Sequence, residues 1–165
     1  NEKGEKVFPV IIHTAVLGGL ERFLFALLDS AVRLERKGKK PMLPVWVSPV
    51  QARIIPVAKQ FVKPALKLLA QLEEASVRAD LDERSDTIQS KVREAELSWV
   101  PYILIYGEKE IKTKKLTIRS IAEAKETKMT ITAFLKSIGE ETEGYPRREL
   151  TFPTILSQRP GYKRI

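Results

Sequence analysis

The chain has 165 residues, of which 43% are hydrophobic and 30% are charged, and it contains no cysteine. This composition supports one packed domain, or one domain with part of a second, and it excludes disulfides and thiolate metal sites built from this chain alone. The net charge of +8 at pH 7 favours a polyanionic partner, with nucleic acid first, although a domain with a lysine-rich surface has the same charge.

No apolar run in the sequence approaches the roughly 20 residues of a membrane span, and the polar, charged first residues are unlike a secretory signal. We therefore expect a cytoplasmic protein with no membrane partner. The first residue is Asn1 rather than methionine, and we expect the chain to be part of a longer protein.

The first forty residues predict a strand followed by a helix. Residues 7–12 form a β-type apolar run that would place His13 at its end. Across residues 18–34, apolar side chains recur at steps of three and four, which is one face of a helix. The basic, glycine-containing run 37–40 ends this helix, and we predict a domain boundary before Pro41.

The next hundred residues alternate between strand-like and helix-like patterns. Strands are predicted at 42–47, 50–55, 76–81, 101–106 and 115–120, and helices at 61–72, 87–97 and from Thr130 onwards. This alternation predicts an α/β fold in which a mixed, mainly parallel sheet is flanked by helices. Gly107 predicts a turn, and the proline-rich residues 145–165 predict an extended C-terminal arm rather than a packed element.

The sequence lacks the motifs of several enzyme classes. No glycine-rich phosphate-binding motif follows a predicted strand, and a Ser-His-Asp triad could use only His13, the sole histidine. The sequence is compatible with a small-molecule α/β enzyme, but no motif in it indicates one.

Two stretches carry a resemblance to a known family. The run IIHTAVLGGLERFLFALLD, residues 11–29, resembles motif 3 of class II aminoacyl-tRNA synthetases, in the version of threonyl-tRNA synthetases, where a histidine precedes the motif arginine by nine residues. LPVWVSPVQARIIPV and LSWVPYILIYGEKEI, residues 43–57 and 97–111, resemble the anticodon-binding domain that follows motif 3 in those enzymes.

The resemblance implies a domain organisation and a partner. Residues 1–40 would be the C-terminal end of a catalytic domain, 41–144 an anticodon-binding domain and 145–165 an extended tail. The parent would be a homodimeric enzyme that uses ATP to attach threonine to its tRNA. This chain would bind tRNA, act together with the rest of the synthetase and, alone, be inactive and monomeric. The alternative is a non-catalytic or editing-type relative that recognises tRNA in trans.

The resemblance assigns catalytic roles to two residues in the first forty. Arg22 matches the motif arginine that lies against ATP, whereas its pattern alone favours an ion pair on the helix surface. His13 matches one of three zinc ligands, and the other two are absent from this chain; by its pattern alone it would be a packing residue. ATP and zinc are thus expected in the full-length enzyme and not on this piece.

The resemblance also implies a set of tRNA-contacting residues. Glu110 and Arg119 match residues that read anticodon bases, for which a carboxylate accepts from base N–H groups and a guanidinium donates to a guanine edge. Trp99 would stack on a base or cap the core. Arg84 and Ser85, in a loop, are further candidates. A phosphate-contacting rim, or else a solvated hairpin, is formed by Lys109, Lys112, Lys114 and Lys115.

Overall fold

The computed structural model describes residues 4–14, 16 and 18–160. The helices are Leu20–Arg36 (α1), Val62–Glu74 (α2), Ile88–Leu97 (α3), Glu108–Thr113 (α4) and Ile131–Glu141 (α5). The strands are Ala52–Pro56 (β1), Ala79–Leu81 (β2), Tyr102–Tyr106 (β3), Leu116–Ser120 (β4) and Lys125–Met129 (β5). Within these described ranges, no helix has the length and apolar character needed to cross a membrane.

The strands form one five-stranded sheet in the order β2-β1-β3-β4-β5. β1 lies parallel to β2 and to β3, because a helix returns the chain across the sheet between these strands. β4 and β5 follow β3 through short connections and pair antiparallel. The prediction of an α/β fold, with a mixed sheet flanked by helices, is confirmed.

Apolar side chains cover both faces of β1, an interior strand of the sheet. The adjacent residues Ile54 and Ile55 of β1 are each fully buried, one in the cluster beneath α2 and α5 and the other in the cluster beneath α3. A strand buried on both faces reads as a continuous apolar run. This explains why β1 was predictable from its sequence.

The predicted strand at 7–12 is wrong, because these residues have no regular secondary structure. Their large apolar side chains are exposed, from 60% for Val7 to 101% for Phe8. A strand needs a neighbour for its backbone N–H and C=O groups, and none pairs with it in the described part of the chain. The predicted helix that follows is confirmed as α1, although only Ala31 of its residues is buried.

The predicted strand at 42–47 is also wrong, because Pro44 begins a turn there. The Val47 and Ser48 N–H groups both donate to the Pro44 carbonyl, each over 3.1 Å. The buried Arg78 guanidinium holds the turn by donating to the Ser48 and Trp46 carbonyls, over 3.1 and 2.7 Å. Burial lowers the pKa of Arg78, but these carbonyl contacts suit a cation.

Helix α4 and strand β5 were not predicted from the sequence, and one predicted strand was too long. Gly107, predicted as a turn, caps the N-terminus of α4, and the unpredicted β5 has a charged, edge-strand sequence, KETKM, with no apolar alternation. The strand predicted at 76–81 is shortened to β2. The predicted N-cap Thr130 is confirmed, since its side chain accepts from the Ala133 N–H over 3.2 Å.

The C-terminal segment is largely extended, but the prediction that it is not a packed element is wrong. The Leu81 N–H donates to the Thr154 carbonyl over 2.8 Å, and Leu81 forms a parallel bridge with Ile155. Phe152 packs against the cluster beneath α3, and Leu156 is buried. The segment therefore extends the fold along the outer edge of β2; predictions for residues 161–165 lie outside the described residues.

Candidate nucleic-acid interface

Glu110 is fixed by two hydrogen bonds at the carboxyl end of β3. Its Oε2 accepts from the Gly107 N–H over 3.0 Å, and its Oε1 accepts from the Thr117 hydroxyl over 2.7 Å. The turn favours glycine at 107, because an added Cβ would lie 2.5 Å from Cγ2 of Val57 and would force that side chain to move. Each carboxylate oxygen keeps a free lone pair, so the half-buried Glu110 can still accept from a ligand.

Arg119 lies on the same face of β4 as the residue that holds Glu110. Thr117 and Arg119 are two residues apart in a strand, so their side chains project to one side about 7 Å apart. The Arg119 side chain is 43% exposed. The fold therefore brings these two sequence-predicted readers to one surface.

A partly uncovered face of the sheet surrounds Arg119. The register places Glu126 opposite Arg119, and it pairs Lys128 and Ile105 with Thr117. Of these five positions only Thr117 is buried, beneath Glu110. We call these five residues of β3, β4 and β5 the open face; a polar sheet surface of this kind can hold unpaired bases.

Glu96, in the last turn of α3, forms ion pairs with two cations. Arg119 Nη2 lies 2.8 Å from its Oε1, and Lys40 Nζ lies 2.6 Å from its Oε2. Burial would raise the pKa of Glu96, but the hydrogen bond and charge of Lys40, together with Arg119, outweigh burial and lower it. Neither Glu96 nor Lys40 was predicted, because 56 residues separate them and no local pattern connects them.

Trp99 occupies a backbone position that favours glycine. Its φ is +54°, and it follows the C-cap of α3. Its N–H donates to the Glu96 carbonyl over 3.0 Å, and the Val100 N–H donates to the Ala95 carbonyl over 3.1 Å, which is the Schellman pattern of a helix end. The half-exposed ring of Trp99, held in this strained conformation, is compatible with base stacking, one of the two roles predicted for it.

Arg84 is held by two carboxylates. It donates to both Asp82 oxygens over 2.9 and 2.7 Å and to both Glu94 oxygens over 3.2 and 2.8 Å. Burial would raise the pKa of Asp82, but the Arg84 contacts outweigh it and lower that pKa. Arg84 thus fastens the loop to α3 and has few donors left for a base, while Ser85 is exposed in that loop.

The four lysines predicted as a phosphate rim are all exposed, but they do not lie on a hairpin. Lys109 and Lys112 belong to α4, and Lys112 pairs with Glu108 over 2.5 Å. Lys114 ends α4 in the left-handed region at φ +54°, and Lys115 follows it. All four lie within five residues of Glu110 along the chain, and Lys128 of the open face is a further cation that the sequence did not indicate.

Arg22 and His13 lie apart from the open face in the fold, on α1 and in the segment before it. The Arg22 side chain is exposed and lies against Gly18, where an added Cβ would be 3.1 Å from Nη1. His13 is exposed, so it is not a packing residue. Residues 4–14, 16 and 18–160 provide no group of three or more His, Cys, Asp or Glu side chains able to hold a metal ion, so His13 has no zinc site around it.

Residues 51–141, which include every strand and α2 to α5, match the model of the anticodon binding domain family. The chain belongs to this family. The matched range contains Glu110, Arg119, Trp99 and the loop of Arg84, whereas Arg22 and His13 lie before it.

Named relatives agree with the family. The chain is 47% identical over 160 residues to a threonine–tRNA ligase of Pyrobaculum calidifontis, covering 97% of this chain and 26% of the relative. It is 48% identical over 153 residues to the enzyme of Caldivirga maquilingensis, covering 93% and 25%. The chain therefore spans about a quarter of the length of these relatives, and the resemblance to threonyl-tRNA synthetases is confirmed.

A solved structure shows the same fold. The RNA binding domain of threonyl-tRNA synthetase from Cryptosporidium parvum Iowa II superposes with a TM-score of 0.59 at 30% identity, over 71% of this chain and 28% of that one. The likeness extends from the sequence to the arrangement of the sheet and its helices.

Proposed function

We propose that this chain is part of a threonine–tRNA ligase and that its α/β domain binds the anticodon of threonine tRNA. The observation that carries the proposal is the placement of Glu110 and Arg119 on one side of β4, with Glu110 fixed by Gly107 and Thr117. Membership of the anticodon-binding family and the identity of the relatives support it.

The two readers offer complementary chemistry to unpaired bases. Glu110 would accept hydrogen bonds from base amino or imino groups, and Arg119 would donate two to a guanine edge. Trp99 would stack on a base, and the lysines around α4 would contact phosphates. Because phosphate contacts release counterions, the affinity should fall steeply as the salt concentration rises.

The catalytic part of the proposal rests on the resemblance and the relatives. Arg22 would lie against ATP, whose cleavage supplies the energy for joining threonine to the tRNA. His13 would need further zinc ligands that the described residues do not supply. The parent would be a homodimeric cytoplasmic enzyme, and this chain alone should be inactive.

Binding to threonine tRNA provides the test. Titration of the 165-residue chain with fluorescent tRNA should show tighter binding to the native sequence than to tRNAs in which the anticodon G or U is changed singly. Equal affinity for all of these tRNAs would contradict anticodon reading. ATP–pyrophosphate exchange by this chain would contradict its predicted inactivity.

A further inference from the structure

The Arg119 guanidinium, left to itself, would not have a fixed direction. Its side chain is 43% exposed, and an exposed arginine has many rotamers available. The sheet encloses it on one side only, because its neighbour on β3, Ile103, is buried, whereas its neighbour on β5, Glu126, is exposed. A reader that must donate two parallel hydrogen bonds to one base edge requires a defined guanidinium plane. Some neighbouring group therefore has to hold it.

Glu96 lies where such a group is needed. It reaches Arg119 from α3, outside the sheet, and contacts one nitrogen, Nη2, over 2.8 Å. The contact is an ion pair without hydrogen-bond geometry, so the N–H donors of the guanidinium stay available to a ligand. The Glu96 side chain is only 20% exposed, less than half the exposed fraction of Arg119, and it is thus the more fixed partner.

Lys40 holds the second oxygen of Glu96. Its Nζ lies 2.6 Å from Oε2, and it comes from the segment between α1 and the first strand. With one oxygen bound to Lys40, the carboxylate presents the other to Arg119. The low pKa of Glu96 keeps both contacts charged at neutral pH.

We propose that Glu96, held by Lys40, is a positioning residue that orients Arg119 for reading an anticodon guanine. This inference rests on the proposed function and names a residue that acts through Arg119 rather than on the tRNA. Its consequence is specific: Glu96 should contribute to discrimination between bases, and its negative charge should slightly oppose binding of any tRNA.

The experiment compares two tRNAs, one with the anticodon guanine and one with adenine in its place. The wild-type ratio of affinities is measured first. In Glu96→Gln the ratio should fall by roughly threefold to tenfold, the cost of one side chain that binding must newly immobilise. Affinity for the adenine tRNA should stay the same or rise. A merely structural defect would instead weaken binding to both tRNAs.

Three further variants separate position from charge. Glu140→Gln removes the same charge from an exposed site on α5 and should leave the ratio unchanged. Glu96→Asp keeps the charge but withdraws the carboxylate by one methylene, and it should lower the ratio as Glu96→Gln does. In an Arg119→Met background, Glu96→Gln should have no further effect on the ratio, because the two residues act as one unit.

The outcomes distinguish this inference from the proposed function. A wild-type ratio of one overturns both. A wild-type preference for guanine that persists undiminished in Glu96→Gln and Glu96→Asp overturns the role of Glu96 and leaves anticodon binding standing. The role of Glu96 is also overturned if Glu96→Gln lowers the ratio as much in the Arg119→Met background as it does in the wild-type chain. Glu96 would then act without Arg119.

Discussion

Trp99 is a residue of the candidate interface whose backbone conformation normally favours glycine. A non-glycine residue at φ +54° is strained by about 1–2 kcal/mol, because Cβ crowds the following carbonyl oxygen. Ser76 ends α2 in the same way, with φ +60° and the same pair of backbone hydrogen bonds. The described residues contain this helix ending three times, with Gly38 after α1, a small side chain after α2 and a large ring after α3.

We predict that Trp99→Gly weakens binding to threonine tRNA by about tenfold, as expected for the loss of one stacking partner worth 1–3 kcal/mol. The free energy of unfolding should change by less than about 1 kcal/mol, because relief of strain offsets the packing of a half-exposed ring. Fluorescence titration and urea unfolding measure the two effects.

Ser76→Gly is the matched control, with the same relief of strain at α2. It should stabilise the chain by up to about 1 kcal/mol and leave the affinity for tRNA unchanged. Unchanged affinity in Trp99→Gly would show that the ring only covers the core.

Arg84 connects two elements, the loop after β2 and helix α3, through four hydrogen bonds. We predict that Arg84→Gln lowers the free energy of unfolding at pH 7 by about 1–3 kcal/mol, since the buried Asp82 carboxylate loses its main partner.

The same contacts determine the pH dependence. The pKa of Asp82 is lowered in the folded state, so its stabilising contribution is present above the unfolded pKa of about 3.9 and is lost as the pH falls through the folded value. Urea unfolding at several pH values should show the difference between wild type and Arg84→Gln shrinking below about pH 4. A difference that stays constant to pH 2 would contradict this role of Asp82.

The elements that could be predicted from the sequence are those whose signal is local. α2 and α5 have an apolar face at helical spacing, and β1 and β3 are apolar runs. β5 could not be recognised, because an edge strand gains its pairing from β4 and not from apolar side chains. The run at 42–47 looked like a strand because its apolar content concealed the turn made by Pro44.

Some residues of the candidate site could be indicated by the sequence and others could not. Glu110, Arg119 and Trp99 came from a family resemblance, and the alternation in β4 could have added Thr117. Glu96 and Lys40 could not be found, because their contact depends on how α3 and the segment after α1 meet in three dimensions.

At the scale of the whole molecule, the C-terminal segment is fastened by charge as well as by packing. Arg159 lies 2.9 Å from Asp80, a fully buried carboxylate that also takes two hydrogen bonds from Arg53. The same guanidinium stacks 4.3 Å from the centre of the Phe152 ring. These contacts tie the last described residues to β2, at the edge of the sheet.

We predict that Arg159→Met lowers the free energy of unfolding by about 1–2 kcal/mol, through loss of its ion pair with the buried Asp80 carboxylate and of its hydrogen bond to the Pro153 carbonyl. Arg148→Met, an exposed change in the same segment, should have almost no effect. Thermal unfolding of both variants makes the comparison. Equal melting temperatures would indicate that the segment adds no stability through Asp80.

The two edge strands of the sheet, β2 and β5, are protected from further pairing by different means. On one side Leu81 of β2 is bridged by Ile155, and on the other β5 displays Lys125, Glu126 and Lys128 as exposed charges. Covered or charged margins discourage strand addition by another chain, and with it edge-to-edge aggregation. A module built this way keeps a fixed number of strands whatever longer polypeptide carries it.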